Sequence, residues 1–186
     1  GAKINNAARE TSGSVSFMDL FSLTTELIGQ NGRRGAAMIS IVCDHPDLLD
    51  FIEVKNNPDK VTKANISIRI TDDFMQAVIN DGDYELSYQR ETTGQNIVKV
   101  VKARELLNMI AQSNWKMAEP GMLYWDRIQN WNLFSEDDSI EYAGVNPCAE
   151  EPLPSYGSCL LGSVNLAEFV TNPFTPRARF NLEEFQ

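Results

Sequence analysis

The stretch GVNPCAEEPLPSYGSCLLGSVNL, residues 144–166, is the most informative part of this sequence. It places a carboxamide at Asn146, a thiol at Cys148 and a carboxylate at Glu150, and a second thiol follows at Cys159. A cysteine S–H bond is weak enough for a sulfur radical to form and to abstract hydrogen from carbon. A neighbouring carboxylate can take a hydroxyl proton, and an amide can orient that hydroxyl. These groups therefore predict radical or acid–base chemistry on a polar substrate, with a disulfide redox step open to the second thiol.

A structural interpretation of the same stretch competes with the chemical one. Its prolines could simply shape a rigid turn, and Cys148 could be a small buried hydrophobic residue, which is the commoner role of an isolated cysteine. That interpretation does not explain why thiol, carboxylate and amide occur together. The combination favours a functional loop.

The same residues carry a resemblance to a known family. The order Asn-Pro-Cys-Ala-Glu-Glu, Pro-Leu-Pro and Gly-Ser-Cys-Leu-Leu-Gly-Ser-Val-Asn-Leu resembles the catalytic loop of the ribonucleotide reductase large chain. The short spacing between Cys148 and Cys159 is most similar to the adenosylcobalamin-dependent branch, class II. Three upstream segments are also similar and come in the family's order: GRRGAAM at 32–38, DHPD at 44–47 and VKNN at 54–57.

The resemblance implies a role for each residue of the loop. Cys148 would become the thiyl radical that takes the 3′-hydrogen of a ribonucleotide, and Glu150 would act as the base at the 3′-hydroxyl, which helps the 2′-hydroxyl to leave. Asn146 would hydrogen-bond the substrate hydroxyls. Cys159 would be one of two cysteines that supply reducing equivalents and finish as a disulfide. The other lies upstream of this region in the family, so we interpret Cys43 as a core residue.

The resemblance also implies the fold and the domain organisation. We expect an α/β structure that is a fragment of the ten-stranded α/β barrel of ribonucleotide reductases, with a catalytic finger loop. Residues 1–186 would form the central part of the catalytic barrel domain. Within it, 1–13 would end an effector loop, 31–38 would be a specificity loop, and 143–166 would hold the finger loop and a redox-cysteine strand. The length and the absence of an initial Met lead us to expect an internal piece of a larger chain.

The predicted specificity loop contains Arg33, Arg34, Gly35, Ala36, Ala37 and Met38. Glycine permits unusual backbone angles, and paired guanidinium groups can meet a phosphate or stack on a base. Taken alone, such a pattern is more often a solvated turn. The resemblance implies that this loop couples a bound deoxynucleotide effector to the choice of substrate base.

Hydrophobic periodicity predicts alternating helices and strands, which is typical of an α/β architecture. Three helices are predicted over residues 17–30, 101–117 and 121–131. A fourth is predicted from Pro46 through Ile52, and a fifth begins with Asp72 and Asp73 after Thr71 as its N-cap. The predicted strands are 36–43, 65–70 and 84–89.

Composition excludes several classes of protein. The formal net charge of −10 argues against binding of a nucleic-acid polymer, and no apolar run is long enough to span a membrane. Three cysteines do not complete a secreted disulfide framework, so we expect a cytoplasmic protein. No metal site is predicted, since the single His45 is interpreted as part of a helix start and the acidic residues 136–138 as a solvated loop. Trp125 and Trp131 are interpreted as core aromatics.

The sequence therefore predicts a catalytic fragment of a ribonucleotide reductase, inactive by itself. The implied partners are a ribonucleotide substrate, a deoxynucleotide or ATP effector, adenosylcobalamin and a thioredoxin-like reductant. Whether the substrate is a diphosphate or a triphosphate is left open, and so is the oligomeric state, with a homodimer of the longer chain as one arrangement. Two alternatives stay open: a reductase with another source of the radical, and a nucleotide-binding regulatory module that kept the fold.

Overall fold

The structure, a computed structural model, describes residues 3–4, 11–28, 35–91, 93–137 and 139–186. Its helices are α1 (Ser14–Leu27), α2 (Leu48–Glu53), α3 (Asp72–Ile79), α4 (Ala103–Met117), α5 (Trp125–Asn130) and α6 (Leu182–Phe185). Its strands are β1 (Ala37–Val42), β2 (Ala64–Ile70), β3 (Asp83–Gln89), β4 (Asn96–Lys102), β5 (Gly121–Tyr124), β6 (Tyr142–Val145), β7 (Pro152–Pro154), β8 (Val170–Thr171) and β9 (Arg179–Phe180). Short 3₁₀ helices cover Val54–Asn56 and Leu166–Phe169. The predicted α/β class is confirmed.

A parallel sheet of three strands, in the order β1-β2-β5, forms the centre of the molecule. β2 lies in the middle, with Ile39 of β1 opposite Ile66 and Gly121 of β5 opposite Ser67. A side chain at Gly121 would place its Cβ 2.7 Å from the Ser67 hydroxyl oxygen, so this hydroxyl would have to rotate away to admit it. The remaining strands pair as three antiparallel hairpins.

The two faces of β2 differ in chemistry. Its even-numbered residues are apolar and buried: Ala64, Ile66, Ile68 and Ile70. Its odd-numbered residues are polar: Asn65, Ser67 and Arg69. Both faces of a parallel strand are usually apolar, so this alternation marks the second face of the sheet as one that contacts polar groups.

The apolar face of the sheet packs against the helices. Side chains from α2, α3 and α4 that are almost fully buried there are Phe51, Ile52, Phe74, Leu106 and Ile110. Burial of each stabilises the fold by about 1.5–3 kcal/mol. The Ser113 hydroxyl joins α4 to α2 by donating to the Ile52 carbonyl at 2.8 Å.

The first turn of α3 is capped by a residue next to it in sequence, and that of α1 by a residue distant in sequence. The Thr71 hydroxyl accepts the Phe74 N–H at 3.2 Å, and Asp72 and Asp73 lie in the first turn of α3, as predicted. α1 is capped differently, because its Ser14 N–H and hydroxyl both donate to the carboxylate of Asp47, at 3.0 and 2.9 Å. That cap ties α1 to the turn before α2.

Most predicted elements are confirmed, but the bounds of four helices need correction. α1 covers Ser14–Leu27 rather than 17–30, and α2 begins at Leu48, two residues after the predicted start at Pro46, which lies in a turn. The helix predicted over 101–117 begins at Ala103, because Val101 and Lys102 belong to β4, which pairs with β3 and which the pattern missed. The helix predicted over 121–131 is wrong in its first four residues. They form β5, because pairing with β2 overrides the helical pattern, and only Trp125–Asn130 is helical.

Two further expectations concern single residues. Trp131 is 82% exposed, so its interpretation as a core aromatic is wrong. Trp125 is only half-buried. The Arg69 guanidinium lies over its ring, with the central guanidinium carbon 4.2 Å from the ring centroid, which is a cation–π contact. No helix in the described ranges has both the length and the apolar character to span a membrane.

Candidate active site

The hairpin formed by β6 and β7 carries three of the four predicted site residues. Beyond the last strand pair, Val145 opposite Pro152, the Asn146 N–H donates to the Glu151 carbonyl at 3.1 Å. The Asn146 side-chain oxygen accepts the Glu151 N–H at 3.0 Å. Asn146 therefore closes the hairpin with its backbone and its side chain, and presents residues 147–150 as the tip.

The tip is a tight turn with a defined chain direction. The Ala149 N–H donates to the Asn146 carbonyl at 2.9 Å, and Pro147 occupies the second position of this turn, where a fixed φ is favoured. Ala149 has a φ of 68°, in the left-handed region. The chain consequently reverses between Cys148 and Glu150, which are both exposed.

The polar face of β2 holds this hairpin against the sheet. The Asn65 side-chain amide donates to the Pro147 carbonyl at 2.8 Å. The Arg69 guanidinium donates to the Ala143 carbonyl on β6, and its Nε donates to the Ser40 hydroxyl at 3.0 Å. The loop is thus attached both at its tip and at its base.

Sequence reasoning did not identify Asn65 or Arg69 as site residues. A signal was available, since β2 reads ANISIRI and its alternation places both polar residues on one face. What that face contacts depends on a hairpin about 80 residues away in sequence, which the alternation does not identify.

Cys159 lies apart from the other three residues. It is exposed, in a stretch from 157 to 165 without regular secondary structure, and its neighbours Leu160 and Leu161 are also exposed. The redox-cysteine strand expected within 143–166 is therefore absent from the described residues. A parallel strand needs hydrogen-bonded neighbours, and this stretch has none among the described residues.

Cys43 is a core residue, as predicted. It is fully buried, and its sulfur lies 3.3 Å from the Tyr84 hydroxyl and 3.5 Å from the Thr71 hydroxyl. Burial raises the pKa of Tyr84, and the hydrogen bond to Cys43 adds to this shift. The thiol is thus inaccessible and belongs to the packing between sheet and helices.

The predicted nucleotide loops are only partly described. Arg33 and Arg34 lie outside the described residues, and so does the effector loop 1–13 except for 3–4 and 11–13. Of the specificity loop, Ala37 and Met38 begin β1. Gly35 lies so close to α1 that a Cβ would be 2.4 Å from the Thr25 carbonyl oxygen. The end of this loop is therefore tightly packed against α1.

Comparison with known proteins agrees with these features. The family model for the ribonucleotide reductase barrel domain matches residues 1–186. A vitamin B12-dependent ribonucleoside-diphosphate reductase of Thermoplasma acidophilum is 42% identical over 163 residues, which cover 87% of this chain and 21% of the relative. One from Mycobacterium tuberculosis, strain H37Rv, is 34% identical over 174 residues, which cover 92% and 24%. A vitamin B12-dependent ribonucleotide reductase of Streptomyces coelicolor is 31% identical over 199 residues, which cover 94% and 20%.

The chain spans only about a fifth to a quarter of the length of these curated relatives. The match nevertheless runs through the whole of the described body and through the hairpin with Asn146, Cys148 and Glu150. This chain belongs to the ribonucleotide reductase barrel domain family.

Proposed function

We propose that this chain is the central part of the catalytic chain of an adenosylcobalamin-dependent ribonucleotide reductase, which reduces ribonucleotides to 2′-deoxyribonucleotides. One observation carries the proposal. A single hairpin tip, closed by the amide of Asn146 and attached to the sheet, presents Cys148 and Glu150 together. Thiol, carboxylate and amide are the groups that this reaction requires.

The hairpin would be the finger loop of a ten-stranded barrel. The three parallel strands β1, β2 and β5 would be part of the barrel wall, with the polar face of β2 turned inward to the loop. Cys148 and Glu150 are exposed in this chain, and the remaining strands of a longer chain would enclose them. Such enclosure protects a radical from solvent and side reactions.

Cys148 and Glu150 would share the first chemical step. The sulfur radical of Cys148 takes the 3′-hydrogen, so that the substrate C–H bond breaks and an S–H bond forms. The Glu150 carboxylate accepts the proton of the 3′-hydroxyl, and the 2′-hydroxyl leaves as water after it takes a proton from one of the two reducing thiols. At the end of the reaction Cys148 returns its hydrogen to the 3′-carbon, which regenerates the sulfur radical. Because the chain reverses at Ala149, both side chains can serve the same sugar ring.

Asn146 would act through its NH₂ group. Its side-chain oxygen is occupied by the Glu151 N–H, whereas its nitrogen makes no hydrogen bond within the part of the chain that the structure describes. The two N–H donors of this group are thus available for the oxygen of a substrate hydroxyl. Asn146 would both shape the loop and orient the substrate.

Reduction would be completed by a pair of thiols. Cys159 and a second cysteine outside this region give up two electrons and two protons and become a disulfide, which a thioredoxin-like donor then reduces. Cys43 is unsuited to be the second cysteine, because it is buried against Tyr84 and Thr71. The expectation that this piece alone lacks a complete redox pair is part of the proposal.

The cofactor assignment is based on the relatives, whose names describe them as vitamin B12-dependent. When bound, adenosylcobalamin supplies the initiating radical chemistry. Cys148 is a free thiol in this structure, so its sulfur is available to carry the radical. Two of the names specify ribonucleoside diphosphates, so we propose diphosphates as substrates. A deoxynucleotide or ATP effector would act through residues 31–38 and the end of 1–13.

The test uses the full-length parent chain under anaerobic conditions, with adenosylcobalamin, a ribonucleoside diphosphate, an effector nucleotide and a dithiol. Deoxynucleotide should form only when adenosylcobalamin is present. Product that forms only with a separate metal-containing subunit would contradict the cofactor assignment. Nucleotide binding without product by either route would instead favour a regulatory module.

A further inference from the structure

The contact between Asn65 and the hairpin tip has a specific target. The Asn65 amide donates to the carbonyl of Pro147, the residue directly before Cys148. That carbonyl belongs to the peptide group that joins Pro147 to Cys148. Since a peptide group is planar, holding its oxygen restricts where its nitrogen and the Cα of Cys148 can lie.

The hairpin does not need Asn65 in order to close. Its tip is already held by the backbone bonds of Asn146 and by the Asn146 side chain. Its base is held by Arg69 through the Ala143 carbonyl. What the Asn65 bond adds is the position of the tip relative to the sheet.

Asn65 itself is held on a well-supported part of β2. The Lys55 ammonium donates to the carbonyls of Val61 and Ala64 at 2.6 and 2.7 Å, and lies 2.9 Å from the Glu119 carboxylate. The other oxygen of Glu119 accepts the Ile66 N–H at 2.8 Å. The backbone on both sides of Asn65 is thus attached to neighbouring elements, which makes it a fixed point for the loop.

We infer that Asn65 is a positioning residue for Cys148: by holding the Pro147 carbonyl, it sets where the thiol lies relative to the substrate sugar. This inference rests on the proposed function. Hydrogen abstraction depends on the distance and direction between sulfur and the C–H bond, and a misplacement of 1 Å can lower the rate about 100-fold. The substrate would still bind, because Asn65 does not itself contact it in this account.

The experiment uses the full-length enzyme and two variants at this position. Asn65→Ala removes the donor, whereas Asn65→Asp keeps the shape of the side chain but offers only acceptor oxygens to a carbonyl. Should the alanine variant fail to fold, the aspartate variant still tests the donor. The measurements are kcat, KM for the ribonucleotide, the melting temperature and the yield and line shape of the sulfur-radical signal in electron paramagnetic resonance.

Asn114 provides a matched control. Its side-chain amide also donates to a proline carbonyl, that of Pro120, at 3.0 Å, but it lies on α4 and makes no hydrogen bond to the hairpin within the described residues. Asn114→Ala therefore removes the same kind of hydrogen bond without touching the loop. A purely structural effect should appear in both alanine variants.

We expect both Asn65 variants to lower kcat by about 10- to 100-fold, with KM changed by less than about threefold and an altered radical signal. Asn114→Ala should keep the wild-type kcat and the wild-type signal. The inference is overturned if the Asn65 variants keep the wild-type kcat, if Asn114→Ala lowers kcat equally, or if kcat falls while the radical signal is unchanged. Full activity of Cys148→Ser would instead overturn the proposed function, independently of Asn65.

Discussion

The two thiols of the proposed site lie in segments of different kinds. Cys148 is at the tip of a hairpin that is closed by Asn146 and attached to β2 through Asn65. Cys159 is in a stretch, 158–164, whose residues make no backbone hydrogen bond to any other described residue. The described residues thus contain the contacts that shape the proposed radical side of the site. They lack those that would shape the reducing side, which we expect from neighbouring strands of a longer chain.

The largest expected effect is that of a substitution at Cys159, which separates the reducing side of the proposed site from its radical side. Cys159→Ser in the full-length enzyme should abolish deoxynucleotide formation, because the reducing pair loses one thiol. It should leave the sulfur-radical signal in place, since Cys148 and its loop are unchanged. Product assays and electron paramagnetic resonance on the same sample measure both. Wild-type turnover by this variant would show that Cys159 is not part of the reducing pair.

Within the radical side, Glu150 can be compared with its neighbour Glu151. Glu150→Gln keeps the shape but cannot accept a proton, so kcat should fall by about 10²- to 10⁴-fold, the usual contribution of a general base. Glu151 contributes its backbone N–H and carbonyl to the hairpin. Glu151→Gln should therefore keep kcat within a few-fold of wild type, and steady-state assays of both variants decide between them. Equal losses would mean that charge near the tip, rather than a base at Glu150, is what matters.

The turn at Ala149 tests how strictly the hairpin tip is shaped. At a φ of 68°, a β-branched residue is strained, so Ala149→Val should destabilise the loop by about 1–2 kcal/mol. Ala149→Gly should be tolerated or stabilising. Ala143→Val, the same substitution on β6, is the control, because valine favours a strand. The melting temperature and kcat are measured for the three full-length variants, and Ala149→Val should lower both the most. If Ala149→Val changes neither, the positive φ at Ala149 is contradicted.

The smallest expected effect lies in the sheet-and-helix body, at the cap of α1. Partial burial of the Asp47 carboxyl opposes its ionisation, but hydrogen bonds from the Ser14 amide and hydroxyl outweigh burial and lower the pKa of Asp47. A carboxyl with a lowered folded-state pKa stabilises the fold above its unfolded pKa of about 3.9. That stabilisation is lost as the pH falls through the folded-state pKa.

Asp47→Ala should therefore lower the free energy of unfolding by about 0.5–2 kcal/mol at neutral pH. The difference from wild type should shrink as the pH falls from about 4. Asp59→Asn, an exposed carboxyl whose side chain makes no bond among the described residues, should show no such dependence. Denaturant titrations over this pH range provide the measurement. A difference that stays constant with pH would show that the Asp47 charge does not act as the cap.

The elements that could be predicted from sequence are those with strong local signals. β1 and β2 are β-branched runs, and α3 begins with Thr71 followed by two aspartates. β5 has only four residues and forms because it pairs with β2. No local sequence pattern predicts that pairing. β4 was missed for a similar reason, since its partner β3 decides its conformation.

The candidate site divides in the same way. Asn146, Cys148, Glu150 and Cys159 could be proposed from a contiguous motif, because their chemistry is visible in the residue types. Asn65 could not, since its amide meets the Pro147 carbonyl across 82 residues of sequence. Arg69 reaches the Ala143 carbonyl across 74 residues. The residues that hold the loop are therefore found only once the chain is folded.

The most direct test asks whether the radical resides on Cys148. The full-length enzyme, prepared with β-deuterated cysteine, would be mixed anaerobically with adenosylcobalamin, a ribonucleotide and an effector, then frozen for electron paramagnetic resonance. We predict a sulfur-radical signal whose line shape narrows on deuteration and which is absent in Cys148→Ser. A signal that is insensitive to deuteration, or that persists in Cys148→Ser, would contradict the assignment of Cys148 as the radical residue.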